Sequence, residues 1–279
     1  MWQRGTSFTS TNASLTYTAD RWVIGGISDG KTHTITQDTD GSIKVNPNGG
    51  YTNLRQVIES VQSLRGKQVT LSVMAKGNRT DGTRTALQLF LYNGTLSSTT
   101  FFAQAQNITV SNDEYELFQI TGTVPDDAEN ITVRLYIYTS NVINIKYVKL
   151  EVGNIATPLS PRSYAEELAD CQRYYQKIPD QTVLQDSYHG TTSIDFIYYL
   201  PVIMRTTPTI SSMTGGYIIR EIGATATTDL TGFTISNGNA LSNRYFHVKA
   251  TKNPLGITSN HCVLRLNGKD ITLDAEYYS

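Results

Sequence analysis

Apolar and polar residues alternate with period two along most of this 279-residue chain. The alternation is clearest at 69–75, 87–92 and 131–138, and it continues at 117–124 and 143–150. Because successive side chains of a strand point to opposite faces of a sheet, this pattern predicts antiparallel strands of a sandwich or a barrel. Residues 53–64 fit either a short helix or a strand with a bulge, since periodicity cannot separate the two at that length.

One segment, residues 163–178, carries apolar residues at helical spacing instead. Ser163 and Glu166 match a capping box at its start, and Pro179 follows its end. The apolar stripe consists of Tyr164, Leu168, Cys171, Tyr175 and Ile178. Such a face packs on a β-domain of the same chain or forms a subunit contact, and the two are compatible. Tyr174 and Arg173 beside the stripe add area that favours the subunit contact.

The pattern also divides the chain into two β-rich parts. A linker containing Pro158 and Pro161 follows Gly153, and short strands return after Pro179. These later strands are predicted at 193–200, 209–210, 217–221, 230–236, 244–250, 261–266 and 270–277. No apolar run reaches the roughly 18–20 residues of a membrane span, so we expect no membrane insertion.

Composition excludes further classes of protein. The 23 Lys and Arg residues balance 24 Asp and Glu residues, and charged residues make up 17 % of the chain against roughly 25 % in an average domain. A near-neutral chain is a poor nucleic-acid binder, because counterion release needs clustered cations. Two distant cysteines, Cys171 and Cys262, make neither a disulfide framework nor a zinc site. We therefore expect no nucleic-acid partner and a fold that does not depend on a disulfide.

The residue patterns of catalysis are missing from the sequence. The four histidines lack metal-ligand spacing, and there is no Gly-x-Ser-x-Gly elbow and no glycine-rich phosphate loop. Glu166 and Glu167 fall in the first turn of the predicted helix, where carboxylates complement the helix dipole. The chain is therefore predicted not to be an enzyme, to have no catalytic residue and to use no cofactor.

Asp38-Thr-Asp-Gly41 is similar to the start of a calcium loop, which takes oxygen ligands at alternate positions. The later acidic ligands are missing from the sequence. Asp-Gly between a strand that ends near Ile35 and one that starts near Ile43 is also typical of a hairpin turn. The hairpin is favoured here over a structural calcium site, and no other metal site is predicted.

The outward face of the predicted sandwich is the candidate binding surface. In the three clearest strands one face carries Val, Leu and Ile and should point to the core. The other face carries Ser72 and Met74 and then six candidate carbohydrate-binding residues: Gln88, Phe90, Tyr92, Arg134, Tyr136 and Tyr138. Aromatic rings stack on sugars while Gln and Arg bond their hydroxyls, and clustered exposed aromatics mark a contact. Burial of the same face by another chain or by the second domain is the equal alternative.

Three stretches resemble the tail-fibre and receptor-binding proteins of bacteriophages. The first is Trp2-Gln-Arg-Gly-Thr-Ser-Phe8 with Tyr17-Thr-Ala-Asp-Arg-Trp22. The second and most specific is Lys149-Leu-Glu-Val-Gly-Asn-Ile-Ala-Thr-Pro158, running into Tyr164-Ala-Glu-Glu-Leu168 and Cys171-Gln-Arg-Tyr-Tyr175. The third is Met204-Arg-Thr-Thr-Pro208 with the terminal Leu273-Asp-Ala-Glu-Tyr277. The resemblance implies an all-β chain: a carbohydrate-binding-module-like jelly-roll sandwich at 1–155, a linker and helix at 156–179, and a small C-terminal β-domain, sandwich or barrel, at 180–279.

The same resemblance implies a virion protein of the phage tail. It would be assembled in the host cytoplasm, commonly as a homotrimer with other tail proteins as partners, and would attach the virion to host cell-surface polysaccharide or another glycan without cutting it. One alternative is a structural fibre or baseplate module whose aromatic face is an assembly interface. Another is an accessory sugar-binding module of a glycan-degrading enzyme, against which the missing catalytic domain and the phage-like helix argue.

Two departures from the phage family bear on these expectations. Many jelly-roll sugar-binding modules place an acidic calcium ligand in the last strand, but that strand reads Asn144-Ile-Lys146-Tyr147 here. Tail fibres also usually carry an N-terminal segment that attaches them to the virion, whereas this sequence starts directly at the sandwich. We therefore expect a distal fragment or a small fibre docked by another protein.

Overall fold

The computed structural model describes residues 1–11, 15–25, 30–77, 85–111, 114–137, 142–180, 182–189, 193–210, 217–221, 227–230, 242–251, 262–266 and 270–276. Within them the chain forms two compact units, Met1–Arg162 and Ser163–Glu276. Strands dominate both units, which confirms the all-β prediction. No helix in this part of the chain is long and apolar enough to cross a membrane.

The first unit is a jelly-roll sandwich of two antiparallel six-stranded sheets. Sheet A has the order β1 (Ser7–Thr11), β4 (Thr32–Gln37), β5 (Ile43–Asn46), β12 (Ile143–Val152), β7 (Gln68–Gly77) and β10 (Glu116–Thr123). Sheet B has the order β2 (Thr16–Tyr17), β3 (Val23–Ile24), β6 (Thr52–Glu59), β11 (Asn130–Ile137), β8 (Thr85–Asn93) and β9 (Phe101–Val110). The predicted strands at 69–75, 87–92, 117–124 and 143–150 are confirmed, and the one at 131–138 is confirmed as far as Ile137.

A row of leucines shows how the core follows from the period-two pattern. Leu135 on β11 lies opposite Leu54 on β6 and Leu89 on β8, and all three are fully buried. Buried residues of sheet A, including Leu71 and Val73, belong to the same cluster. Full burial of such a side chain contributes roughly 1.5–3 kcal/mol, so these inward rows stabilise the sandwich. The alternate residues of sheet B are thereby left on its other face.

Residues 53–64, which fitted a helix or a strand, divide between two elements. Strand β6 ends at Glu59, and a 3₁₀ turn covers Val61–Leu64. Ser60 joins them with φ 58°, in the left-handed region. Asn53 and Arg55, two residues apart on β6, both lie on the outer face of sheet B and are part of the candidate site.

The helix of the second unit is shorter than predicted. Helix α1 spans Tyr164–Gln172, and its capping box is confirmed: the Glu166 backbone N–H donates to the Ser163 hydroxyl at 3.3 Å. The prediction of helix as far as residue 178 is wrong. Residues 175–178 form β13 instead, because they pair with the strand Ile271–Asp274 and the Ala275 N–H donates to the Tyr174 carbonyl at 2.8 Å.

Because the helix ends at Gln172, the continuous apolar stripe on which a subunit contact was predicted does not form. Tyr164 is 73 % exposed on α1, whereas Tyr175 and Ile178 are buried on β13 (Tyr175–Ile178). Tyr174, predicted as surplus area for a neighbouring chain, is buried as well. The homotrimer therefore depends on the family resemblance alone.

The described strands of the second unit form two sheets. The smaller has the order β13, β21 (Ile271–Asp274) and β16 (Thr209–Ile210). The larger has the order β18 (Thr227–Leu230), β17 (Tyr217–Glu221), β20 (Cys262–Leu266), β14 (Val183–His189), β15 (Ser193–Tyr199) and β19 (Tyr245–Thr251). Strand β18 ends where the predicted strand 230–236 begins, and residues 231–236 lie outside the described residues. Strand β14 was not predicted.

Side chains fasten the segment that follows β12 back onto that strand. The Thr157 N–H donates to Glu151 Oε1 at 2.9 Å, and the Thr157 hydroxyl donates to Oε2 at 2.6 Å. Lys149 Nζ lies 3.0 Å from the same Oε2. These bonds, those from Thr157 above all, lower the pKa of Glu151 to about 2. The Lys149–Pro158 motif of the phage resemblance thus holds the chain where it leaves the sandwich.

Candidate functional site

The outer face of sheet B brings the predicted site residues together through strand register. Tyr136 on β11 lies opposite Asn53 on β6 and Gln88 on β8. Two residues earlier, Arg134 lies opposite Arg55 and Phe90. We call this surface the arginine–aromatic face, and its residues are Tyr51, Asn53, Arg55, Gln88, Phe90, Tyr92, Phe101, Arg134 and Tyr136. Tyr138, also predicted for the site, lies outside the described residues. Ser72 and Met74, predicted for the outward surface, are on β7 of sheet A and do not join this face.

Arg134 is held at the centre of this face by rings and hydrogen bonds. Its Cζ lies 5.3 Å from the ring centroid of Tyr136, 5.6 Å from that of Tyr92 and 5.8 Å from that of Phe90. Its Nε donates to Asn53 Oδ1 at 2.5 Å, and its Nη1 donates to the Tyr92 hydroxyl at 3.0 Å. Each cation–π contact contributes about 0.5–1 kcal/mol or more when desolvated. The guanidinium is therefore fixed in one orientation before any ligand arrives.

Arg55 has a different role, because its nitrogens bond the backbone of two connecting segments. Nη1 donates to the Leu96 carbonyl at 2.9 Å and Nη2 to the Gly25 carbonyl at 2.7 Å. The side chain is 8 % exposed, and its buried Nε has no hydrogen-bond partner. Burial, with the charge of Arg134 as a second cause, lowers the pKa of Arg55 to about 10. Arg55 ties these segments to the sheet and adds a second cation to the face.

The prediction that the whole face is solvent-exposed is wrong for three of its residues. Gln88, Phe90 and Tyr92 are only 7–8 % exposed. Phe101 on β9 explains part of this burial, since its ring packs edge-on against Phe90 at 5.9 Å and against Tyr92 at 6.0 Å. These three side chains therefore form the buried layer of the face, and other residues form its solvent-accessible surface.

The accessible groups are partly residues that the sequence did not single out. Phe101 is 44 % exposed and Tyr51 is 37 % exposed. The Tyr51 ring lies 5.9 Å from that of Tyr136, which is half-buried, as is Arg134. Period two within β6 would have indicated Asn53 and Arg55 once that segment was read as a strand. Phe101 had no such signal, because β9 was not predicted.

The Asp38–Gly41 turn is the hairpin that its sequence favoured, and it joins β4 to β5. Hydrogen bonds from the Ser42 side chain and the Tyr115 hydroxyl, the latter at 2.6 Å, lower the pKa of Asp40 well below its usual range. Lys146, at an irregularity in the β12–β7 pairing, places its Nζ 3.5 Å from Asp40 Oδ2. Among the described residues no group of three or more His, Cys, Asp or Glu could hold a metal ion.

Comparison with known proteins gives similarities in structure but not in sequence. No protein-family model and no curated protein sequence matches the chain. A CBM4 carbohydrate-binding module shares 18 % identity over 53 % of this chain and 86 % of its own, with a TM-score of 0.32. The CBM22-1 xylan-binding domain of Paenibacillus barcinonensis Xyn10C shares 8 % identity over 53 % of this chain and 95 % of its own, with a TM-score of 0.36.

One similar structure comes from a phage. The enzymatically active domain of tailspike protein 4 of bacteriophage CBA120 shares 15 % identity over 53 % of this chain and 19 % of its own, with a TM-score of 0.34. At these identities and TM-scores none of the similarities assigns a function to the chain. Its described part is a jelly-roll β-sandwich joined in sequence to a smaller helix-containing β-unit.

Proposed function

We propose that the sandwich binds carbohydrate on the arginine–aromatic face and does not cleave it. The observation that carries this proposal is the fixed guanidinium of Arg134, which contacts three aromatic rings and donates two hydrogen bonds. One of those rings is that of the half-buried Tyr136, and the exposed ring of Tyr51 lies next to it. A sugar presents an apolar ring face and hydroxyls at its edge. Rings and fixed hydrogen-bond donors on one surface complement both features.

Rigidity of the face adds to this proposal. All of its residues except Tyr51, which directly precedes β6, lie on four neighbouring strands, and several of the side chains pack against one another. Groups that are already ordered lose little conformational freedom when a ligand binds. A shallow face with few contacts can therefore retain useful affinity for a sugar.

We extend the proposal to the biological setting that the phage resemblance implies. The protein would be part of a phage tail, with other tail proteins as partners, and would attach the virion to host cell-surface glycan. In a homotrimer several weak sites would act together, and multivalency raises avidity by roughly 10²–10⁴ without stronger single sites. Light scattering at micromolar protein concentration measures this assembly directly, and a monomer would refute the homotrimer.

A structural fibre or baseplate module is the second candidate function, and exposed apolar residues favour it. Phe101 and Tyr51 lie at the accessible face, and Val152, Ile155 and Leu159 are exposed in the segment that leaves the sandwich. Clusters of exposed apolar side chains often mark a surface that another protein chain buries in an assembly. In this alternative another chain, and not a sugar, would cover the arginine–aromatic face.

An array of host-surface glycans separates the two functions. The full chain is compared with Tyr136→Ala and with Tyr199→Ala, a control in which an exposed tyrosine of β15 is removed from outside the face. We expect the unmodified chain and the control to bind the same glycans and Tyr136→Ala to bind at least about 10-fold more weakly, as for a lost aromatic anchor. A change of oligomeric state in Tyr136→Ala would favour the assembly interface. No glycan binding and no block of phage adsorption would refute the proposed function.

A further inference from the structure

Two arginines lie directly opposite one another at the centre of the arginine–aromatic face. Strand register pairs Arg55 with Arg134, on the same side of sheet B. Like charges at directly opposed positions of neighbouring strands destabilise a sheet. The fold therefore retains an arrangement that is unfavourable by itself, and that arrangement concentrates positive charge at one place on the face.

The groups that surround the two guanidiniums do not neutralise them. Arg134 donates to an amide oxygen of Asn53 and to the Tyr92 hydroxyl, while Arg55 donates to two backbone carbonyls. Every one of these acceptors is formally uncharged. Among the described residues neither arginine forms an ion pair with a carboxylate. Buried or half-buried cations are usually paired, so this pair lacks its expected counter-charge.

Arg134 still has donors available for a ligand. A guanidinium carries five N–H groups, and the two hydrogen bonds of Arg134 use one on Nε and one on Nη1. Its Nη2 makes no hydrogen bond within the described part of the chain and is not among the buried nitrogens. Both N–H groups of Nη2 and the second one of Nη1 are therefore left for a ligand. A guanidinium presents its N–H groups in pairs that match the two oxygens of an anionic group.

We propose that the arginine–aromatic face selects an anionic glycan, whose sugar rings carry carboxylate or sulfate groups, and that Arg134 contacts the anion while Tyr136 contacts the ring. This inference rests on the proposed carbohydrate-binding function of the same face. An acidic sugar supplies both missing components: the negative charge for the two guanidiniums and the apolar ring surface for the tyrosines. A neutral glycan would leave the positive charge uncompensated.

The test compares acidic polysaccharides with neutral forms of the same polymers. Polygalacturonate, alginate and hyaluronan are titrated into the full chain before and after chemical reduction of their carboxylates to alcohols, and dextran sulfate is compared with dextran. We expect at least one acidic polymer to bind at least about 10-fold more tightly than its neutral form. Raising NaCl from 50 to 300 mM should reduce that difference, because salt screens charge–charge attraction. The carboxylate and sulfate arms identify the anion.

Three variants connect the effect to the arginine. Arg134→Gln removes the charge and retains an amide donor, and Arg134→Lys retains the charge without the fork. Arg65→Gln, at an exposed arginine of the first unit outside the face, controls for the change in net charge. We expect Arg134→Gln to bind acidic and neutral forms equally, Arg134→Lys to retain part of the preference and Arg65→Gln to retain all of it. If Arg134→Gln fails to fold, the polymer pairs with the unmodified chain decide alone.

The possible failures are distinguishable from one another. Equal binding of acidic and neutral forms, or binding of neutral glycans only, overturns the anionic preference and leaves the carbohydrate-binding function standing. Absence of binding to every polymer here and to the host-glycan array overturns both proposals. Loss of the acidic preference in Arg65→Gln would show that net charge, and not Arg134, produces it.

Discussion

Replacement of Arg55 by methionine tests whether the buried arginine stabilises the fold. Methionine has a similar length, but it loses the two hydrogen bonds to the Leu96 and Gly25 carbonyls. A hydrogen bond to a charged group contributes about 1.5–3 kcal/mol, so the two together are worth about 3–6 kcal/mol. Relief of the opposed charge of Arg134 returns about 1 kcal/mol at most, and burial of an apolar side chain returns a similar amount. We expect Arg55→Met to lower the free energy of unfolding by about 1–4 kcal/mol.

Urea unfolding followed by tryptophan fluorescence measures this loss in the right part of the molecule. The two tryptophans of the chain, Trp2 and Trp22, both belong to the first unit. Arg55→Lys is the matched variant, because it retains the charge but can bond only one carbonyl well. Its free energy of unfolding should lie between that of the unmodified chain and that of Arg55→Met. A loss below 1 kcal/mol in Arg55→Met would show that charge repulsion and desolvation cancel the carbonyl bonds, and our assignment of Arg55 would be wrong.

Three further predictions concern the remaining features of the chain. The pKa of Glu151 is about 2 in the folded chain, below its ordinary value. The stabilisation that its carboxylate gives is therefore present above about pH 4.5 and is lost as the pH falls towards 2. Between pH 5 and 2.5 the melting temperature of Glu151→Gln should therefore fall by less than that of the unmodified chain. Cys171 is buried and is not part of a disulfide, so reductant should leave the melting temperature unchanged; a Cys171–Cys262 bridge in non-reducing mass spectrometry of fresh protein would contradict this. Chelation by EDTA should also leave the melting temperature unchanged, and a drop of several degrees would reveal a structural metal ion.

The strands could be predicted because one face of each sheet packs into the hydrophobic core of the sandwich. Val69, Leu71 and Val73 must all be apolar for the sandwich to close, and so must Leu87, Leu89 and Leu91. A period of two is therefore imposed along the sequence itself. For the same reason Arg134 and Tyr136 could be placed on the outer face without knowledge of any partner strand.

The parts that could not be predicted depend on contacts between distant segments. Arg55 and Arg134 oppose one another only through the register of β6 with β11, which no local pattern contains. The burial of Phe90 depends in part on Phe101 of the neighbouring strand. The local sequence pattern of residues 175–178 also fits the apolar stripe of a helix, but these residues pair with β21 and form a strand. Tertiary contacts commonly override local propensity in this way.

Lys146 beside Asp40 has a consequence for how this hairpin responds to its surroundings. A turn stabilised by a bound ion gains stability in proportion to the logarithm of the free ion concentration, and it loses that stability on dilution or in the presence of a competing ligand. The ammonium of Lys146 is attached to the chain and lies 3.5 Å from the carboxylate that it serves. Mass action therefore does not apply to this pair, and the ionic strength of the surroundings acts on it by screening the attraction between its two solvent-accessible charges.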